Sequence, residues 1–79
     1  MGFVIVEFPE RREVFVDEAN QGDNRDDHDE YRILRVGDGL RSFRLGGPQD
    51  CAPPTQTVEV ADTTSIDPLR VVFSKIPSP

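Results

Sequence analysis

The chain predicts an all-β fold: a small antiparallel β-sandwich or a partly open barrel of six to seven short strands, with no substantial helix. Three observations carry this expectation. Short runs rich in Val, Ile and Phe recur at roughly ten-residue spacing. Seven Pro and six Gly in 79 residues punctuate them, a density of breakers that fits many turns. No window as long as a helix needs places apolar residues at i, i+3, i+4 and i+7.

Phe3 to Phe8 (FVIVEF) is aromatic and β-branched and stops at Pro9, which reads as a strand buried on at least one face. Pro9 to Arg12 is a charged turn. Glu13 to Val16 forms the second strand, with Val14 and Val16 on one face and Phe15 on the other. Asp17 to Gly22 reads as a loop, and Asp23 to Glu30 (DNRDDHDE) has no apolar residue to offer a core. Tyr31 to Val36 is the third strand. Gly37-Asp38-Gly39 carries the Asp-Gly hairpin signal, so Leu40 to Leu45 should return antiparallel to the third strand. Leu34, Val36, Phe43 and Leu45 then face the core, and Arg32, Arg35, Arg41 and Arg44 face solvent. Imperfect alternation there allows a bulge. Gly46 to Thr55 is a rigid connection, since Pro53-Pro54 cannot sit in a central strand. Gln56 to Ala61 alternates cleanly, with Val58 and Val60 inward. Asp62 to Asp67 turns on side-chain hydrogen bonds to its own backbone, Leu69 to Ile76 is the last strand, and Pro77 to Pro79 should fray. Residues 1–76 make one domain.

Fifteen acids against nine bases leave a net charge of −6. Residues 17–30 hold seven acids and one Arg, a balance of −6, so the other eight acids and eight bases cancel. The protein is a neutral β-domain with its net charge on one loop. A polyanionic surface repels phosphate backbones, which disfavours nucleic acid as a partner. No run approaches the roughly 20 apolar residues that span a bilayer. The apolar start, Gly2 to Val6, has no basic segment before it and ends at Glu7, unlike a signal peptide. A lone cysteine, Cys51, cannot form an intramolecular disulfide and points mildly to a reducing compartment. The expected location is therefore cytoplasmic. Arg outnumbers Lys eight to one, which fits a GC-rich genome and says nothing of function.

The only dense cluster of functional groups is the acidic loop. Hard carboxylate oxygens on a loop suit Ca²⁺, and Asp23, Asp26, Asp27, Asp29 and Glu30 are the candidate ligands, although the alternation and turn glycine of a D-x-[DN]-x-[DN]-G loop are missing. Asp26, Asp27 and Asp29 are equally candidates for docking a basic partner. Arg32, Arg35, Arg41 and Arg44, on two strands expected to be neighbours, could bind a carboxylate-bearing partner. His28 is the sole histidine, so ordered zinc ligation has no basis, and Cys51 has no nearby base to activate it. No pair of carboxylates in contrasting environments suggests acid–base catalysis.

Val14-Phe15-Val16-Asp17, preceded by Pro9 and followed by Gly22, is similar to the "V-x-V-D-G-x-x-x-G-x-T-P" turn of PEGA-type domains. ILRVGDGLRSFRL, from Ile33 to Leu45, resembles their "L-x-V-x-x-G-x-H-x-V-x-L" segment. GGPQDCAPPTQTVEV, from Gly46 to Val60, resembles the corner and strand that follow, and Leu69 to Phe73 the closing strand. Glu18 stands in place of the turn glycine, the Thr-Pro pair is missing, residues 23–30 look like an insertion, and the corner tyrosine is replaced near Cys51. The resemblance implies a small antiparallel sandwich acting as a noncatalytic module, with no catalytic residues to carry over. The leading expectation is a protein-interaction module that binds another protein through an exposed strand edge or the acidic loop, as a monomer or weak dimer and without enzymatic activity. A Ca²⁺-binding domain whose loop orders on metal is the alternative, and an acidic mimic of nucleic acid comes below it.

Overall fold

Alternation along the strands sorts side chains into an inside and an outside. The computed structural model describes residues 2–48 and 50–76, which leaves the expected frayed tail, 77–79, outside the described residues. Nine strands follow in order: β1 (Gly2–Glu7), β2 (Glu13–Val16), β3 (Ala19–Asp23), β4 (Leu34–Val36), β5 (Gly39–Leu45), β6 (Cys51–Ala52), β7 (Thr55–Val60), β8 (Leu69–Val72) and β9 (Ser74–Lys75). Among the described residues there is no helix, and none long and apolar enough to cross a membrane.

The strands form a three-stranded sheet β4-β1-β8, a four-stranded sheet β3-β2-β5-β7 and the short pair β6-β9. Both larger sheets are open. Val4, Val6, Leu34, Val36 and Val71 from the first meet Val14, Val16, Phe43, Leu45 and Val60 from the second in one buried cluster, with Phe8, Phe73 and Cys51 completing it. Full burial of each such Val or Phe is worth on the order of 1.5–3 kcal/mol. This is a two-layer β-sandwich. At the open end Gly2 lies against Val60, where any Cβ would collide with Val60 Cγ1.

Several expectations are corrected. The Asp-Gly turn does not close a hairpin. β4 pairs antiparallel with β1, through Gly2↔Val36, Phe3↔Arg35 and Val4↔Leu34, whereas β5 pairs with β2 and β7. Gly37 to Gly39 therefore carries the chain from one sheet to the other. Gly39 (φ 105) supplies a backbone conformation other residues resist. The third strand is shorter than expected, Leu34 to Val36, because the residues before it are bonded across to Asn24 and Arg25. β8 runs parallel to β1, through Val4↔Leu69 to Glu7↔Val72, so the sandwich is not wholly antiparallel. The last strand breaks at Phe73: Leu69 to Val72 joins β1, and Ser74-Lys75 pairs with Cys51-Ala52, a strand inside the expected rigid connection.

The largest correction falls in the acidic region. Ala19 to Asp23 is a strand, paired with β2 through Glu13↔Asp23, Phe15↔Asn20 and Val16↔Ala19 with a bulge between. Asp17 (φ 50) and Glu18 (φ 69) form the two-residue turn, both in the left-handed region that suits the twist of a tight hairpin.

Asn24, placed by sequence in the solvated loop, is fully buried. Its Oδ1 accepts the Arg12 N–H at 2.8 Å, and its Nδ2 donates to the Glu10 carbonyl at 3.2 Å. Its backbone N–H donates to Arg12 O at 2.9 Å, and its carbonyl accepts the Arg32 N–H at 3.0 Å. Asn24→Ala strands one buried donor and one acceptor, a loss of about 2–4 kcal/mol. The expected result is a fall in Tm of roughly 10–25 °C in thermal unfolding followed by circular dichroism; a Tm within a few degrees of the parent would show that Asn24 is not the lock described.

Candidate functional site

Most acids of residues 17–30 are held by arginines of the same chain or by nearby backbone amides. Asp17 sits at the first position of the β2–β3 turn and caps β5: Ser42 N–H donates to its Oδ1 at 3.0 Å, and Arg41 Nη1 to its Oδ2 at 3.1 Å. The Ser42 amide, then Arg41, holds its carboxyl below the usual aspartate range. Glu18, one residue on, receives the Arg44 Nε on both carboxylate oxygens at 3.0 Å. Asp23, at the end of β3, takes the Arg11 Nε at 2.8 Å, and Asp27 meets Arg11 Nη2 at 3.5 Å. Asp29 pairs with Arg25 at 3.5 Å.

Asp26 builds the loop tip. Its Oδ1 accepts the N–H groups of His28 (2.8 Å) and Glu30 (3.0 Å), which lowers its carboxyl, and its own N–H donates to Glu30 O at 2.8 Å. Asp29, at φ 62, makes the reversal. Glu30 contributes backbone atoms to this turn. Asp23, Asp26 and Asp27 line one hollow together with Arg11, Arg25 and Arg32, and Asp29 and Glu30 do not line it. No three His, Cys, Asp or Glu side chains among the described residues gather into a group able to hold a metal ion.

The four arginines are also separated. Arg35 lies in β4 on the three-stranded sheet, and Arg41 and Arg44 lie in β5 on the other. Arg41 and Arg44 point to opposite faces of β5, because their spacing of three is odd and strand side chains alternate. Arg41 closes the crossing between the sheets, donating to the carbonyls of Gly37 and Asp38 at 2.9 Å. Arg44 stacks on Phe15 at 4.1 Å. Arg32 donates to the Asp23 carbonyl at 2.9 Å. Arg35 lies 5.8 Å over the Phe3 ring. No anion-binding sheet face of four guanidiniums exists; its basis, pairing of the third and fourth strands, is overturned.

Two clusters escaped the sequence reading. Glu10, Arg12, Asp50 and Lys75 form one ionic network: Arg12 Nη2 meets Asp50 at 2.8 Å and also Glu10, while Lys75 meets Glu10 and, at 3.4 Å, Asp50. The Arg12 guanidinium, ahead of Lys75, draws the Asp50 carboxyl down to about 2. Arg12 also packs over the Phe8 ring at 5.2 Å. In the second cluster Arg25 lies over Tyr31 at 4.4 Å and donates to the Phe8 carbonyl at 2.9 Å, the Tyr31 hydroxyl at 3.1 Å and the Asp29 carbonyl at 3.0 Å. Partners as distant as residues 10 and 75 leave no local pattern to read.

One concavity is a groove of about 510 Å³ lined by Arg11, Glu13, Phe15, Asp23 and Arg44 among others. The charged groups named here are each matched within the molecule or lie on its rim. Cys51 is buried, 7% exposed, and desolvation pushes its thiol up from the ordinary range, opposite to what a nucleophile requires.

No family model, curated protein or solved structure matches this chain. Apolar side chains remain on the outer face of the three-stranded sheet, and Leu40 on β5 is exposed as well. Phe3, Ile5 and Glu7 point away from the core in register with Arg35, Arg70 and Val72 respectively. Val72 is 55% exposed, and Ile33, one residue before β4, is 44% exposed. The outer face thus mixes these apolar side chains with Glu7, Arg35 and Arg70. The sequence signal was present, since FVIVEF does not alternate with polar residues until Glu7.

Two outcomes follow. Millimolar Ca²⁺ should leave the amide resonances of residues 17–30 and the Tm unchanged; saturable shifts of Asp26 to Glu30 would contradict the geometry described. Asp50 titrates lower folded than its ordinary 3.8, so its contribution is complete above that value and fades as pH falls toward about 2. Acid should lower Tm across that window, and Asp50→Asn should lower Tm at neutral pH while flattening the acid decline. An unchanged acid slope in this variant would remove Asp50 from the account.

Proposed function

We propose that the protein is a noncatalytic β-sandwich module that binds another protein through the exposed edge and outer face of its three-stranded sheet. The observation that carries this reading is a group of apolar side chains on and beside the outer face of that sheet, with Ile33 and Val72 exposed and Phe3 and Ile5 half-buried. A sheet facing water ordinarily alternates apolar and polar residues, and contiguous exposed apolar surface marks contact sites. Among the described residues β4 has β1 as its one strand neighbour, so its other edge offers backbone groups to an added strand, whereas on β8 the Val72 carbonyl already accepts the Gln56 side-chain amide at 2.6 Å. The acidic loop supports docking less well, because Asp17, Glu18, Asp23, Asp27 and Asp29 all engage arginines of the same chain.

The likeness to PEGA-type domains fits the same reading. Glu18, standing where that motif has glycine, adopts φ 69, the kind of backbone conformation for which glycine is suited.

Photo-crosslinking tests the reading. A benzophenone amino acid at Ile33 should yield a discrete protein adduct in the native cell, and the same group at Ile66, an isolated apolar residue on the loop before β8, should not. Equal labelling from both positions, or none from Ile33, would end it.

A further inference from the structure

The charge census distinguishes one position on that surface. Among the described residues every Lys and Arg except Arg32 and Arg35 is ion-paired to a carboxylate of the same chain. Arg32 is nevertheless committed: its Nη1 donates to Asp23 O, and its guanidinium lies against Gly22. Arg35 is exposed, and its guanidinium meets only the Phe3 ring. In a chain with fifteen acids and nine bases, a cation left without a carboxylate stands out. It sits on β4, an edge strand, two residues beyond the exposed Ile33, so the two side chains emerge on the same outer face.

We propose that the free edge of β4 accepts an extended segment of another protein that carries a carboxylate and an apolar residue two positions apart. This rests on the interaction-module reading and names the partner's chemistry. An added strand places residues i and i+2 on one face, so a carboxylate opposite Arg35 puts the second residue opposite Ile33. Directly opposed side chains on adjacent strands are close enough for an ion pair and an apolar contact. The apolar residue continues the stripe of Ile5 and Phe3. The carboxylate meets a guanidinium already held over an aromatic ring, where little freedom remains to be lost. A second copy of the chain is the weaker occupant, because each copy brings a net charge of −6.

The whole protein is panned against a phage-displayed library of random dodecapeptides, and selected peptides are titrated by amide NMR. Enriched sequences should place Asp or Glu two positions from Val, Ile or Leu, and the shifts should centre on Ile33 to Val36 with Phe3 and Ile5. Arg35→Glu should weaken these peptides about fivefold, as when one cross-strand attraction becomes a repulsion. Lys in place of the peptide carboxylate should restore binding to that variant. Arg44→Glu, an equal change of charge on the other sheet, should have no such effect. Arg35→Glu within about twofold of the parent, or shifts centred on β7 or residues 17–30, overturns the proposal and leaves the module reading standing. If no peptide is enriched and Ile33 gives no adduct, both fall. If the resonances of residues 33–36 move with protein concentration alone, the occupant is a second copy and the proposal is wrong.

Discussion

The buried amide of Asn24 is the constraint on which one side of the sandwich depends. Its four hydrogen bonds tie the connection between β1 and β2, the end of β3 and the approach to β4. Two of these segments are connections leading from or into strands of the three-stranded sheet, and the third ends a strand of the four-stranded one. Without its side chain the Arg12 N–H and the Glu10 carbonyl, both partly buried, would lose these partners. Arg25 reinforces the same corner from outside, spanning Phe8, Asp29 and Tyr31. Together they hold an otherwise wholly polar stretch against the core, so that residues 23–30 are anchored at their base and open only at their tip.

Compensation of charge is the second organising feature. A net charge of −6 suggests an acidic surface, yet Asp17, Glu18, Asp23, Asp27 and Asp29 each sit beside an arginine of the same chain, from β5, from the β1–β2 connection or from the loop itself. Exposed pairs of this kind contribute little individually. Their structural effect is to tie the acids to arginines of the same chain, with Asp23 and Asp27 sharing Arg11. The more sheltered network of Glu10, Arg12, Asp50 and Lys75 performs a different task, joining the β1–β2 connection to the segment before β6 and to β9. With these ions occupied, the exposed β4 edge and the apolar side chains beside it remain on the surface, and Arg35 adds a charge there.

Much of the core was legible from alternation alone. Val14 and Val16, Phe43 and Leu45, Leu34 and Val36, and Val60 are buried as their period-two spacing requires. Strand β3 was not legible, because Ala19-Asn20-Gln21-Gly22-Asp23 has no apolar alternation: it is an edge strand held by backbone pairing to β2 and by two left-handed residues at the turn. The Asp-Gly signal at Asp38-Gly39 misled for a complementary reason. A turn dipeptide reports the local reversal of the chain and not which strand receives it. Of the candidate surface, Arg35 was named but placed with the wrong neighbours, and Phe3 and Ile5 were assigned only to a buried strand.

By itself, the sequence determined that the chain is all-β, that its strands are short, and which side chains turn inward, because those properties follow from periodicity and breakers within a few residues. It also determined that the net charge falls on residues 17–30. Tertiary structure decided which strands pair, that β8 runs parallel to β1, where each carboxylate finds its cation, and that Arg35 is left with none. Pairing and charge matching join residues such as Glu7 and Arg70, or Arg12 and Asp50, whose separation along the chain carries no local signature. Only the closing of the two sheets over a shared core brings them within reach.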